Sequence, residues 1–126
     1  MPSAHDPVAS HLPLKPTALH ILLSLAGEER HGYAIIKEIS ERTRGEVELH
    51  PGILYRFLKR LLDGGLIREL EHRPVPAAED DERRRYYAVT EAGRAVARAE
   101  LERMGTMIEW GREVHLVPPQ GRAGGA

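Results

Sequence analysis

Positive side chains in two places are the groups best suited to chemistry in this sequence: Arg56 and Lys59 within the segment 51–63, and the run Arg83-Arg84-Arg85. Guanidinium and ammonium groups neutralise phosphates, and either can hydrogen-bond the edge of a guanine. Tyr55, next to Arg56, adds a hydroxyl that can reach a phosphate while its ring packs on the domain. The groups that enzymes need are not arranged for use. The chain has no cysteine, no glycine-rich phosphate loop, and no nucleophile–base pair in a recognisable context, so neither catalysis nor a cofactor is expected. His31, His50 and His72 lack metal-ligand spacing, and no metal site is expected. Lys and Arg total 18 against 19 Asp and Glu, so any attraction for a polyanion has to come from local clustering rather than global excess.

The elements that must hold these charges can be read from periodicity. Pro51 suits a first helical position, and Leu54, Phe57, Leu58, Leu61 and Leu62 follow at helical spacing. At about 100° per residue, Arg56, Lys59 and Asp63 point away from that apolar face, with Tyr55 and Arg60 on its borders. Gly64-Gly65 ends this helix. Upstream, Pro16 and Thr17 open a helix in which Ala18, Leu19, Leu22, Leu23, Leu25 and Ala26 cover most of the circumference, predicting near-complete burial. A second helix is predicted from Tyr33 to about Arg42, with Ile36 and Ile39 inward, Tyr33, Ile35 and Thr43 flanking, and Gly45 as its stop. Residues 66–72 and 84–90 read as two strands joined by a long flexible tip. The arginine triplet lies at the base of the second strand. The acidic run Glu79-Asp80-Asp81-Glu82 just before it is an alternative partner for those arginines.

Thr90 can cap a last helix, with Glu91 favourably placed in its first turn. In that helix Ala97, Leu101, Met104, Ile108 and Gly111 recur at spacings of four, three, four and three, the rhythm of a coiled-coil seam, and Val96, Met107 and Trp110 widen it. A three-helix core has little need of a further helix of some twenty residues, so this seam is predicted to meet a second copy of the chain. Residues 1–13 read as a flexible arm and 116–126 as a disordered tail. No apolar run approaches the roughly 20 residues that span a bilayer. The first residues lack the order of a secretory leader, which makes the cytoplasm the expected compartment.

Three helices followed by a hairpin is the layout of a winged helix-turn-helix, in which the third helix enters the major groove and the wing grips the adjacent backbone. The expected fold class is therefore mainly α with a small β-hairpin. It comprises an arm (1–13), a winged helix-turn-helix domain (14–90), a C-terminal dimerisation helix (91–115) and a tail (116–126).

Three blocks of sequence carry a closer likeness. HGYAIIKEI (31–39), PGILYRFLKRLLDGGLI (51–67) and RRRYYAVTEAGRAV (83–96), in this order and spacing, resemble the PadR-like transcriptional regulators, in particular the short subgroup with one C-terminal helix. The resemblance spans about Leu14 to Trp110. It implies a homodimer joined by C-terminal helices, repressing transcription from an inverted-repeat operator on double-stranded DNA. By position it also implies that Tyr33 lies near the DNA backbone and that Gly52 permits close approach at the start of the recognition helix. Tyr55, Arg56, Lys59 and the bordering Arg60 then face DNA, and Arg83, Arg84 and Arg85 belong to the wing. Ala97, Leu101, Met104 and Ile108 form the dimer seam.

In some short members a Trp of the C-terminal helix stacks on flat aromatic effectors. Trp110 lies in the corresponding helix, where packing against the partner is the alternative. Two positions depart from the family pattern. His50 replaces a small hydroxyl residue before Pro-Gly, so either the helix start is weaker or His50 itself reaches DNA. Ile53 stands where Thr is frequent, and either touches a thymine methyl or is a neutral replacement. A winged-helix protein-interaction module without DNA binding is the competing reading.

Overall fold

The computed structural model describes residues 8–71 and 85–120. A short 3-10 turn (Ala9–His11) leads into α1 (Pro16–Gly27), β1 (Arg30–His31), α2 (Gly32–Arg42), α3 (Pro51–Asp63), β2 (Ile67–Glu69), β3 (Tyr86–Val89) and α4 (Glu91–Glu113). The molecule is mainly helical, with one small antiparallel sheet in the order β1-β3-β2. Among the described residues no helix is long and apolar enough to cross a membrane.

α1 runs through the middle of the core: Ile21 and Leu22 are fully buried, and Ala18, Leu19 and Leu25 nearly so. Leu23, predicted to be buried with them, is instead exposed. It projects from the same side as His20 and Gly27, which line a cleft toward α2. α2 begins one residue earlier than predicted, capped by His31, whose Nδ1 accepts the Ala34 amide at 3.1 Å. Its inward pair is Ile35 and Ile39, with Ile36 only half-buried. The prediction had Ile35 and Ile36 exchanged; an i, i+4 pair rather than i, i+3 meets α1 and α3. After Arg42 the chain turns through left-handed Arg44 and Gly45, and the Gly45 amide reaches back to the Ser40 carbonyl at 2.8 Å.

α3 has the limits and face that its leucine spacing predicts. Leu54, Leu58 and Leu61 are buried, and Phe57 and Leu62 pack at the margin. Strands β2 and β3 pair with Ile67 opposite Val89 and Glu69 opposite Tyr87. The third strand was not anticipated: β1 is two residues long, too short for a period-two signal, and pairs Arg30 with Tyr87. The predicted tip between the strands, with its acidic run, lies outside the described residues, as does His72 at the end of the first predicted strand.

At the N-terminus, where an arm was expected over 1–13, the described residues from Val8 make a 3-10 turn, and Val8, Leu12 and Leu14 pack against the core. Their apolar side chains account for this, and Leu14, with His11 and Pro13, shares a cleft with Phe57 and Leu61 of α3. At the other end, the amides of Leu116 and Val117 return to the Gly111 carbonyl at 2.8 and 3.1 Å, closing α4. Residues 121–126 of the expected tail lie outside the described residues.

Candidate nucleic-acid interface

The buried leucines of α3 rotate the rest of that helix into solvent. Gly52, Ile53, Tyr55, Arg56, Lys59 and Arg60 are all exposed. Lys59 forms an i, i+4 ion pair with Asp63 at 3.3 Å, both side chains largely in water, which is weak and easily exchanged for a phosphate. The Arg60 guanidinium lies 5.6 Å from the centre of the Phe57 ring, which supports its stem beside the outer face. These cations make one positive strip along a helix whose opposite side is locked into the core.

The N-terminal end of α3 is built differently. His50 occupies the cap position but makes no side-chain capping bond, leaving the first amides of the helix without the usual hydroxyl acceptor. Of the two alternatives for His50, the absence of a cap is thus a local fact of the structure; contact with DNA is a matter for experiment. A Cβ on Gly52 would meet nothing within 4 Å, so no packing inside the chain demands glycine there. Tyr55 is 52% exposed and its hydroxyl leans against the first residue of α2, Gly32. Tyr33, one residue further along α2, is 65% exposed on the same part of the surface, its ring near that of His31.

The wing meets this surface through β3. Tyr87 is buried there, and burial first, then the Glu69 carboxylate and Tyr55, make its hydroxyl less acidic than usual. Arg85, just before β3, pairs with Glu69 of β2 at 3.4 Å. Among the described residues its partner is thus on the neighbouring strand. Arg83 and Arg84 lie outside the described residues.

α4 changes character half-way. Gly93, Val96, Ala97 and Glu100 are buried, whereas every residue from Leu101 to Trp110 is exposed. Ala97 was assigned to the intermolecular seam, but it is a core residue of its own domain, only 7% exposed and packed with the α1 cluster. Its small side chain lets α4 lie close to α1. Leu101, Met104 and Ile108 remain as the exposed part of that stripe. Trp110 follows Leu101 by nine residues, which at about 100° per residue puts it on the opposite side of the helix. A single partner helix covering Leu101 would not also cover Trp110.

Three residues passed over in the sequence position this surface. Gly93 brings the first turn of α4 onto the Leu66 carbonyl; a Cβ there would stand 2.0 Å from that oxygen. Gly32 makes room for Tyr55. Glu100, 2% exposed, accepts the Leu14 amide at 2.8 Å and the Arg103 guanidinium. The Arg103 hydrogen bond chiefly, helped by the Leu14 amide, holds its carboxyl below the usual range despite burial. A glycine inside a helical pattern was the available signal for Gly93, whereas Gly32 fell just before the predicted start of α2 and gave none. For Glu100 it was a carboxylate three and four residues after Ala97 and Val96, in an apolar stripe.

The family model for the "Transcriptional regulator PadR-like family" matches residues 21–99. Among solved structures, RosR of H. salinarum is 29% identical with a TM-score of 0.60, covering 77% of this chain and 79% of that one. A PadR family transcription regulator from Clostridium difficile shares the fold at 24% identity and a TM-score of 0.63, covering 77% and 95%. Bacillus subtilis PadR, solved in complex with operator DNA, shares it at 23% identity and a TM-score of 0.56, covering 69% and 47%. No curated protein matches.

Proposed function

The chain belongs to the PadR-like family of transcriptional regulators, and from that premise we propose that it is a homodimeric repressor reading an inverted-repeat operator with α3. The family is one of regulators rather than enzymes, and the winged-helix fold agrees with it. The observation that carries the DNA reading is the exposed strip Arg56, Lys59 and Arg60 on a helix anchored by Leu54, Leu58 and Leu61. A rigidly seated amphipathic helix with cations outward is what a major groove accepts. Tyr33, Tyr55 and Arg85, exposed around it, are suited to contact the flanking phosphates, with Arg83 and Arg84 continuing the wing, and His50 and Gly52 at the helix start. The likeness in fold to Bacillus subtilis PadR, whose structure holds operator DNA, supports DNA as the partner.

Dimerisation is supported by Leu101, Met104 and Ile108, which extend beyond the chain's own core and leave apolar surface in water. A symmetric pair of recognition helices would demand half-sites about one DNA turn apart. In this reading residues 14–90, with the first half of α4 packed on them, bind DNA, and the half of α4 from Leu101 assembles the dimer in the cytoplasm. Trp110, 68% exposed, is the place for a small planar aromatic effector.

Titration of the purified protein onto the duplex upstream of its own coding region tests this reading. Sequence-selective binding that weakens steeply as salt rises is expected. Arg56→Ala and Lys59→Ala each weaken it by roughly five- to tenfold at constant salt without changing the oligomeric state. Absence of a shift at low salt would favour the protein-interaction module instead, and full affinity in both variants would remove α3 from the contact.

A further inference from the structure

Gly32 stands where the start of α2 meets the recognition helix. It is the first residue of α2 and is not among the glycines with positive φ, so its backbone does not require glycine. What glycine supplies here is space. A Cβ at residue 32 would lie 2.8 Å from the Tyr55 hydroxyl oxygen, 3.2 Å from its Cζ and 3.3 Å from a Leu54 methyl. Leu54 is fully buried and held by the core, whereas Tyr55 is half in water and its hydroxyl is the far end of a side chain that can be displaced. A side chain at 32 would therefore act mainly on Tyr55.

The tip of Tyr55 stands where three elements meet. It leaves α3, rests on the start of α2, and is near enough to the buried Tyr87 of β3 to influence its acidity. Two residues before Tyr87, Arg85 binds Glu69, so this junction also joins the recognition helix to the wing strands.

We propose that Gly32 is a positioning residue for the DNA-reading surface: the side chain it lacks lets the Tyr55 hydroxyl rest against α2, which aims that hydroxyl at a phosphate beside the recognition helix. The proposal rests on the DNA reading above. Tyr55 makes the contact, and Gly32 acts only through it.

The test uses the full chain as wild type, Gly32→Ala, Tyr55→Phe and the double variant, with the duplex that wild-type protein enriches from random sequence as probe. Each single change is expected to weaken binding on the order of tenfold, the worth of one hydrogen bond to a charged group. The double variant is expected to bind no more weakly than either single one, because both remove the same contact. Thermal midpoints give a second readout: Gly32→Ala lowers the midpoint, and adding Tyr55→Phe, which deletes the nearest atom, restores part of the loss. Ring-labelled tyrosine gives a third, free of DNA: the Tyr55 resonance, identified by its loss in Tyr55→Phe, shifts in Gly32→Ala.

Additive losses of affinity, an unmoved Tyr55 resonance, or a Gly32→Ala variant that stays unfolded with Tyr55→Phe added would each overturn the proposal. If wild type binds and Gly32→Ala retains full affinity, the positioning role alone fails. If wild type enriches no sequence, the DNA reading fails and the positioning role falls with it.

Discussion

The two halves of α4 carry the same kind of residue at the same spacing and live in opposite environments. From Glu91 to Glu100 the helix is bolted to its own domain: Thr90 caps it by accepting the Gly93 amide and also donates to the Gly65 carbonyl. Gly93 lies on Leu66, and Val96 and Ala97 fill the α1 cluster. From Leu101 onward the apolar stripe continues, but nothing in the described chain covers it. Helical periodicity records that a face will be buried, not which molecule buries it. The first half spends its stripe on the fold, and the second has it free for assembly.

This contrast can be broken most severely at Gly93. Gly93→Ala would drive a methyl group into the Leu66 carbonyl, backbone that cannot swing aside, and into Val89. A loss of about 3 kcal/mol or more is expected, read as a fall in the midpoint of chemical denaturation. Wild-type stability in that variant would mean that α4 does not seat on the domain as described.

A smaller loss is expected at the boundary between the halves. Glu100→Ala strands the Leu14 amide and should cost about 1–3 kcal/mol. The same carboxylate predicts an acid response. Because its folded-state pKa lies below the usual value, the stability it adds is complete above the ordinary carboxylate range and is lost as pH falls through the depressed one. Denaturation midpoints of wild type and Glu100→Gln should therefore converge toward low pH. Parallel curves would deny the carboxylate this role.

The smallest effect on folding, and the sharpest on assembly, belongs to the distal half. Leu101→Asp combined with Ile108→Asp should leave the thermal stability of the winged-helix domain within about 0.5 kcal/mol, since both residues are exposed in the single chain. The same double change should turn dimers into monomers in sedimentation. A stable dimer surviving it would move the seam elsewhere. Adding Ala97→Asp should behave quite differently and unfold the domain, because that residue faces α1.

Much of this protein was legible before any coordinates. Five leucine and phenylalanine positions between 54 and 62 dictated α3 and, by exclusion, its cationic face; Pro51 and Gly64-Gly65 marked its ends. Thr90 announced the start of α4 by hydroxyl chemistry that acts over three residues. Such features are local, and local physics is what a linear pattern records. Where two readings differed only by which neighbour was in contact, the pattern was silent or misleading. Ile35 and Ile36 exchanged places because both lie on the apolar arc of α2 and only the approach of α1 and α3 selects one. Ala97 and Leu101 share a stripe, yet α1 reaches the first and stops short of the second. Glu100, besides its neighbour Arg103, has a second partner 86 residues away, at Leu14. Gly32 and Gly93 show their role only once the tertiary structure brings Tyr55 and Leu66 against them. The sequence by itself determined the helices, their caps and the side on which positive charge gathers, because those follow from spacing along one chain. Only the tertiary structure decided which face of each helix is spent inside the domain and which is left for a partner, because that depends on the distance at which packed elements end.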